Sequence, residues 1–93
     1  MAKYLALYRA DQSVAEQLAN LTPEQQQAGM DNWIAWFGQA GPAILDGGAP
    51  VVGPGDVSGY SILEAPDRDA VDALLAEHPH RQVGDIDVYE FLP

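Results

Sequence analysis

The chain contains no cysteine, and this absence excludes disulfides and thiolate metal sites. Basic residues are also scarce: four Lys and Arg stand against 14 Asp and Glu, giving a formal net charge of −10 at pH 7. A surface of this sign repels phosphate backbones and anionic lipid, so we expect no nucleic-acid partner and no membrane partner. The acidic residues are spread along the chain, which is typical of an ordinary solvated surface.

Long apolar runs are absent as well. No stretch approaches the ~18 apolar residues of a membrane-spanning helix, and no basic segment followed by an apolar core opens the chain. We therefore expect a cytoplasmic protein. Its 93 residues, 47% of them hydrophobic, fit a single domain over residues 1–93. Because so short a chain buries only about 60–65% of its unfolded surface, we expect it to gain stability as a homodimer.

Hydrophobic periodicity predicts four strands and two main helices. A further stretch, residues 11–21, is weakly apolar and is compatible with one or two helical turns. A short extra strand at Val51–Val52 is an alternative reading of the glycine-rich loop. The main predicted elements are strand 3–9, helix 22–41, strand 42–48, strand 56–65, helix 65–80 and strand 82–92.

The first main helix carries clear end signals. Thr22 is predicted as N-cap, Pro23 takes the first helical position, and Gln25 is placed to close a capping box. Gly41 and Pro42 end the helix. Its apolar stripe is predicted to contain Met30, Trp33, Phe37 and Ala40, with Ile34 at the edge and Trp36 on the flank.

This order is β-α-β-β-α-β, an α+β pattern of the ferredoxin-like type. Right-handed crossovers place both helices on one face of a four-stranded antiparallel sheet. The other face then carries either Tyr4, Ala6 and Tyr8 or Leu5 and Leu7 from the first strand. Neither set suits a fully wet surface, so a second copy of the chain is expected to cover that face.

Four segments resemble the YCII-related domain proteins, and the nearer branch is the one called DGPF after its strand-end motif. The segments are MAKYLALYRADQ, WIAWFGQAGPAILDGGAPV, VSGYSILEAPDRDAVDALLAEHPH and GDIDVYEFLP. The resemblance covers nearly the whole chain in order. It implies a dimeric α+β barrel in which the sheets of two ferredoxin-like protomers face each other.

The same resemblance implies a histidine and aspartate pair in a cleft beside the sheet. The aspartate at the end of the second strand matches Asp46, and the His-Pro-His run matches His78 and His80. Similar barrels act as muconolactone-type isomerases and dehalogenases. The chain departs from the pattern at two places: Asp46 is followed by Gly-Gly-Ala instead of Gly-Pro-Phe, and no histidine lies near Asp31 on the first helix.

Each candidate has a structural alternative. Asp46 at a strand end is suited to general acid–base chemistry, but Asp also favours turns by bonding its own backbone. His78 continues the apolar stripe of Val71, Leu74 and Leu75, so we expect it to be partly buried. His80 follows Pro79 in a turn, where it either aims into a cleft or lies on the surface. Its spacing from His78 does not favour zinc, so no metal is expected.

The aromatic side chains are the candidate ligand contacts. Trp36 is placed to line a pocket or a subunit contact, and the tyrosines, among them Tyr8, Tyr60 and Tyr89, are expected to line the space between two sheets. The loop of residues 47–55 has no phosphate-binding spacing.

Three functions remain open. The first is a small cofactor-free acid–base enzyme of isomerase, lyase or dehalogenase type. The second is a non-catalytic dimer that binds a small ligand or regulates a partner. The third is a haem- or quinone-type oxygenase relative on the same barrel.

Overall fold

The structure, a computed structural model, describes residues 1–10, 16, 19–82 and 84–92. Most of the weakly apolar stretch 11–21 therefore lies outside the described residues. The elements are β1 (Ala2–Arg9), α1 (Pro23–Ala40), a 3₁₀ turn (Gly41–Ala43), β2 (Ile44–Asp46), β3 (Val57–Ala65), α2 (Arg68–Ala76), a second 3₁₀ turn (Pro79–Gln82) and β4 (Asp85–Glu90).

The four strands form one antiparallel sheet in the order β2-β3-β1-β4, which confirms the ferredoxin-like prediction. β1 and β3, the two longest strands, pair at the centre from Ala2↔Ala65 to Arg9↔Val57. The alternative of an extra strand at Val51–Val52 is wrong, since neither residue is part of a strand and only the preceding Pro50 forms an isolated bridge, with Gly59.

Helix α1 begins as the sequence predicts. The Thr22 hydroxyl accepts a hydrogen bond from the Gln25 N–H at 3.1 Å, and the Gln25 side chain accepts one from the Thr22 N–H at 2.9 Å. Both halves of the capping box are therefore present, and Pro23 occupies the first helical position. Gly41 ends the helix with a φ of 52°, a left-handed conformation that favours glycine.

The buried face of α1 differs from the predicted stripe. Met30 is 59% exposed, whereas Trp36, placed on the flank from sequence, is only 3% exposed. The face that meets the sheet runs through Trp33, Trp36, Phe37 and Ala40, which is an i, i+3, i+4, i+7 pattern. Sequence spacing alone did not resolve this rotation, because Met30, a member of the predicted stripe, and Trp36 are both apolar and lie on opposite sides of its other members.

The core lies between the helices and one face of the sheet. The pleat of β1 places Tyr4, Ala6 and Tyr8 in this core, with exposures of 3%, 0% and 3%. Val71 and Leu75 of α2, both fully buried, pack into the same core cluster. Expecting Tyr8 between two sheets was therefore wrong, because the alternation along β1 turns it towards the helices.

The opposite side, called here the open face, carries half-exposed apolar side chains. On this face, Leu5 and Leu7 of β1 lie directly opposite Ile62 and Tyr60 of β3. No helix of the described part of the chain is long and apolar enough to cross a lipid bilayer.

Candidate functional site

His78 lies directly after α2 and is 2% exposed, which confirms the predicted burial. Three aromatic rings enclose its imidazole: the ring-centroid distances are 4.8 Å to Tyr8, 4.4 Å to Trp33 and 4.2 Å to Trp36. Burial is the main reason that the pKa of His78 falls to about 4, and the nearby His80 and Arg81 lower it further. The imidazole is therefore neutral at neutral pH.

The hydrogen bonds of His78 define which ring nitrogen carries its proton. Nδ1 accepts a hydrogen bond from the backbone N–H of His80 at 3.0 Å. A nitrogen that accepts a hydrogen bond in this way is unprotonated, so the proton of the neutral ring is on Nε2. That Nε2 atom is buried and has no hydrogen-bond partner. Such a donor costs about 1–3 kcal/mol when it is left unsatisfied.

His80 lies in the second 3₁₀ turn and is only 5% exposed. It is therefore more buried than a surface residue or a residue that points freely into an open cleft. Its Nε2 lies 2.8 Å from the backbone carbonyl oxygen of Arg9 at the end of β1. A carbonyl oxygen only accepts, so Nε2 carries a proton, and in the neutral ring Nδ1 is then the nitrogen with the lone pair. Gly84 permits this approach, because a Cβ there would lie 1.9 Å from the Arg9 oxygen and 3.0 Å from His80 Nε2.

Tyr8 connects the histidines with the glycine-rich loop. Its ring centroid lies 5.3 Å from that of His80, and its hydroxyl donates to Ser61 Oγ at 2.6 Å. Ser61 in turn donates to the Gly47 carbonyl oxygen at 2.9 Å. Burial raises the pKa of Tyr8, and the hydrogen bond to Ser61 opposes part of that shift. Two hydrogen bonds therefore link the histidine cluster to the residue that follows Asp46.

Asp46 itself is exposed, and its Oδ1 accepts a hydrogen bond from the Gly48 N–H at 2.8 Å. This is the turn-forming use of aspartate. A register shift in β2 pairs Ile44 with Leu63 but Asp46 with Ile62, and these consecutive residues of β3 point to opposite faces. Within the described residues, no hydrogen bond or ion pair joins Asp46 to either histidine.

The other predicted ligand contacts fall on different sides of the sheet. Trp36 donates its indole N–H to the Leu74 carbonyl oxygen at 2.9 Å and borders an open cavity of about 250 Å³ between α1 and Pro79. Tyr60 and Tyr89 belong to the open face, where Tyr89 is 53% exposed. The sequence does not single out Ser61, and it predicts Trp33 only as part of the apolar stripe of α1. Their contacts with Tyr8 and His78 depend on the fold.

A second cavity of about 650 Å³ lies between the end of α1 and the start of α2 and is lined mostly by alanine, proline and leucine. Neither of these two cavities is lined by His78 or His80. Among the described residues there is no group of three or more His, Cys, Asp or Glu side chains placed to hold a metal ion.

The arrangement at His78 and His80 is suited to proton transfer. One neutral imidazole presents an N–H and the other presents a lone pair, both in a largely water-excluded environment. The chain thus combines an α+β, ferredoxin-like fold with a buried histidine pair.

Comparison with known proteins finds similarity in structure but not in sequence. No protein-family model matches the chain, and no curated protein matches it in sequence. A similar solved structure is that of 5-chloro-2-hydroxyhydroquinone dehydrochlorinase from Burkholderia phenoliruptrix AC1100, in complex with 2,5-dihydroxybenzoquinone. The match covers 97% of this chain and 93% of that one, with a TM-score of 0.59 and 19% identity. At that identity the likeness shows a shared fold alone.

Proposed function

We propose that this chain is a cytoplasmic, dimeric, YCII-related enzyme that works without a cofactor. It transfers protons on a small organic molecule, in a reaction of isomerase, lyase or dehalogenase type. Asp46 is one acid–base group and either His80 or His78 is the other, and Tyr8 and Trp36 contact the ligand beside the histidines. Tyr60 and Tyr89 line the space between the two sheets of the dimer.

The observation that carries the proposal is the buried histidine pair. A fully enclosed imidazole with an unsatisfied Nε2–H carries a free-energy cost, which supports a role for His78 beyond filling space in the core. Ionisable groups whose pKa is strongly perturbed by their surroundings are concentrated at functional sites. The similar dehydrochlorinase, with its bound dihydroxybenzoquinone, supports a small organic ligand for this fold.

The open face supports the dimer. Leu5, Leu7, Tyr60 and Ile62 form a continuous half-exposed apolar surface across β1 and β3. A second copy would bury this surface, and burial of apolar area contributes about 25 cal/mol per Å².

The alternative function is a non-catalytic dimer that binds a small ligand. The specific observation in its favour is Asp46, whose carboxylate is engaged in its own turn. In that case the histidines would position or enclose a ligand and no bond would break.

The experiment uses 5-chloro-2-hydroxyhydroquinone as the turnover probe and 2,5-dihydroxybenzoquinone as the binding probe. We expect the purified protein to release chloride from the first and to bind the second. Asp46→Asn and His80→Gln should keep the wild-type circular dichroism spectrum while reducing turnover at least 100-fold, a typical effect of losing an acid–base group. Binding without turnover would establish the alternative, and neither binding nor turnover would overturn both functions.

A further inference from the structure

The two histidines differ in which ring nitrogen is free to react. In His78, Nδ1 already accepts the His80 N–H, and Nε2 is a proton-bearing donor closed off from solvent. Neither nitrogen of His78 can therefore accept a proton without breaking an existing contact. His78 is a poor proton acceptor in this fold.

His80 has the opposite arrangement. Its Nε2–H is fixed on the Arg9 carbonyl oxygen, so the ring cannot rotate without losing that bond. Its Nδ1 has no hydrogen-bond partner in the described part of the chain. Among the described residues, His78 Nε2 is the one side-chain polar atom that is both fully buried and without a partner. His80 Nδ1 is therefore not completely closed off from solvent, although His80 as a whole is only 5% exposed. A lone pair that is held in a fixed direction and engaged by no other group is suited to accept a proton.

The His78 side chain contributes to this arrangement through its hydrogen bond with the backbone of His80. The bond from the His80 N–H to His78 Nδ1 fixes the turn that carries His80, and Gly84 donates its N–H to the His80 carbonyl oxygen at 3.0 Å. The rings of Trp33 and Trp36 in turn fix the imidazole of His78.

We propose that His80 Nδ1 is the proton-accepting atom of this site and that His78 is a positioning residue that holds His80 in place. This inference rests on the proposed function and assigns separate roles within it. Nδ1 takes a proton from an O–H or C–H group of the substrate, and the bonding electrons stay on the substrate. In an elimination these electrons form a new double bond while chloride leaves with the C–Cl pair, and the imidazolium then returns its proton to water.

Two measurements test the roles without requiring turnover. Long-range ¹H–¹⁵N spectra at neutral pH should show both imidazoles with the proton on Nε2. Diethyl pyrocarbonate, which attacks unprotonated imidazole nitrogen, should modify His80 and leave His78 unmodified in the folded protein, as read by peptide mass spectrometry. A proton on His80 Nδ1, or faster modification of His78, would overturn the inference.

Matched variants then connect the roles to chloride release from 5-chloro-2-hydroxyhydroquinone. His80→Gln keeps an amide N–H where Nε2 lies but removes the Nδ1 lone pair, so kcat should fall at least 100-fold while the fold is retained. His78→Leu removes the acceptor for the His80 N–H and should lower kcat at least tenfold, with a changed His80 ¹⁵N signal. His78→Asn supplies an acceptor near the Nδ1 position and should restore most of that loss.

The outcomes separate the two proposals. If the wild-type protein releases no chloride, the proposed function fails, and the spectra and the modification pattern still decide whether the two histidines differ as described. If it does release chloride and His80→Gln retains full turnover, the proposed function stands and the assignment of His80 is wrong.

Discussion

At the scale of single residues, the surroundings of His78 follow from its position in the sequence. It occupies the i+7 position after Val71, so its burial against the sheet could be predicted. The environment of His80 could not, because its partner is the Arg9 carbonyl, 71 residues away in the chain. That contact depends on how β1 and β4 pair, which local sequence does not specify.

The lowered pKa of His78 gives a pH dependence of stability with a defined sign. The folded pKa is about 4, against the ordinary 6.5, so between these values the unfolded state binds more protons and stability rises with pH. At about 1.4 kcal/mol per pH unit, the full effect is ~3 kcal/mol. This stabilisation of the folded state is fully present above pH 6.5 and is lost as the pH falls towards 4.

Urea unfolding of the wild-type protein and of His78→Asn, at one protein concentration, isolates this effect. The ionisable groups other than His78 are common to both proteins, so the difference between the two proteins reports on His78. We expect the wild-type free energy of unfolding to fall relative to the variant by up to ~3 kcal/mol between pH 6.5 and 4. Parallel curves over this range would show that His78 is not a buried neutral imidazole.

At the scale of secondary-structure elements, the ends of α1 were predictable and its rotation was not. Thr22, Pro23 and Gln25 form the capping box that their spacing indicates, because capping is a local interaction. Which side of the helix faces the sheet is decided by tertiary packing. The buried position of Trp36 therefore depends on a partner, the Leu74 carbonyl oxygen of α2, that lies 38 residues away.

The connection between α2 and β4 provides a test at this scale. Gly84 lies where a side chain would collide with the Arg9 carbonyl oxygen, so Gly84→Ala should push the turn away from β1. Overpacking of this kind costs about 1–3 kcal/mol. The control is Gly53→Ala, because a Cβ at Gly53 would have no atom within 4 Å.

Thermal unfolding followed by circular dichroism gives the readout. Gly84→Ala should lower the midpoint by several degrees and also weaken the His80 ¹⁵N signature, whereas Gly53→Ala should leave both unchanged. Equal effects of the two substitutions would contradict the close approach of Gly84 to β1.

At the scale of the whole molecule, strand order and helix placement followed from the β-α-β-β-α-β pattern, and the assignment of sheet faces did not. The two faces of β1 are both apolar: one carries Tyr4, Ala6 and Tyr8, and the other carries Leu5 and Leu7. Alternation along the strand therefore predicts two faces without indicating which of them meets the helices. The fold assigns the tyrosines to the core and the leucines to the open face.

The open face leads to a prediction about association. Ile62→Glu places a charge in the proposed dimer interface and should convert the protein from dimer to monomer in sedimentation velocity at micromolar concentration. Ile34→Glu is the matched control, since Ile34 is 61% exposed on α1 and away from the open face. A wild-type monomer, or an Ile62→Glu dimer, would contradict the proposed assembly.

The claim on which the functional account depends is that a small organic ligand binds at the His78–His80 pair. Titrating ¹⁵N-labelled protein with 2,5-dihydroxybenzoquinone tests it most directly. We expect the largest chemical-shift changes at His78, His80 and the Trp36 indole, with no change at the alanine-rich cavity between α1 and α2. Shifts concentrated at that cavity, or none at saturating probe, would contradict it.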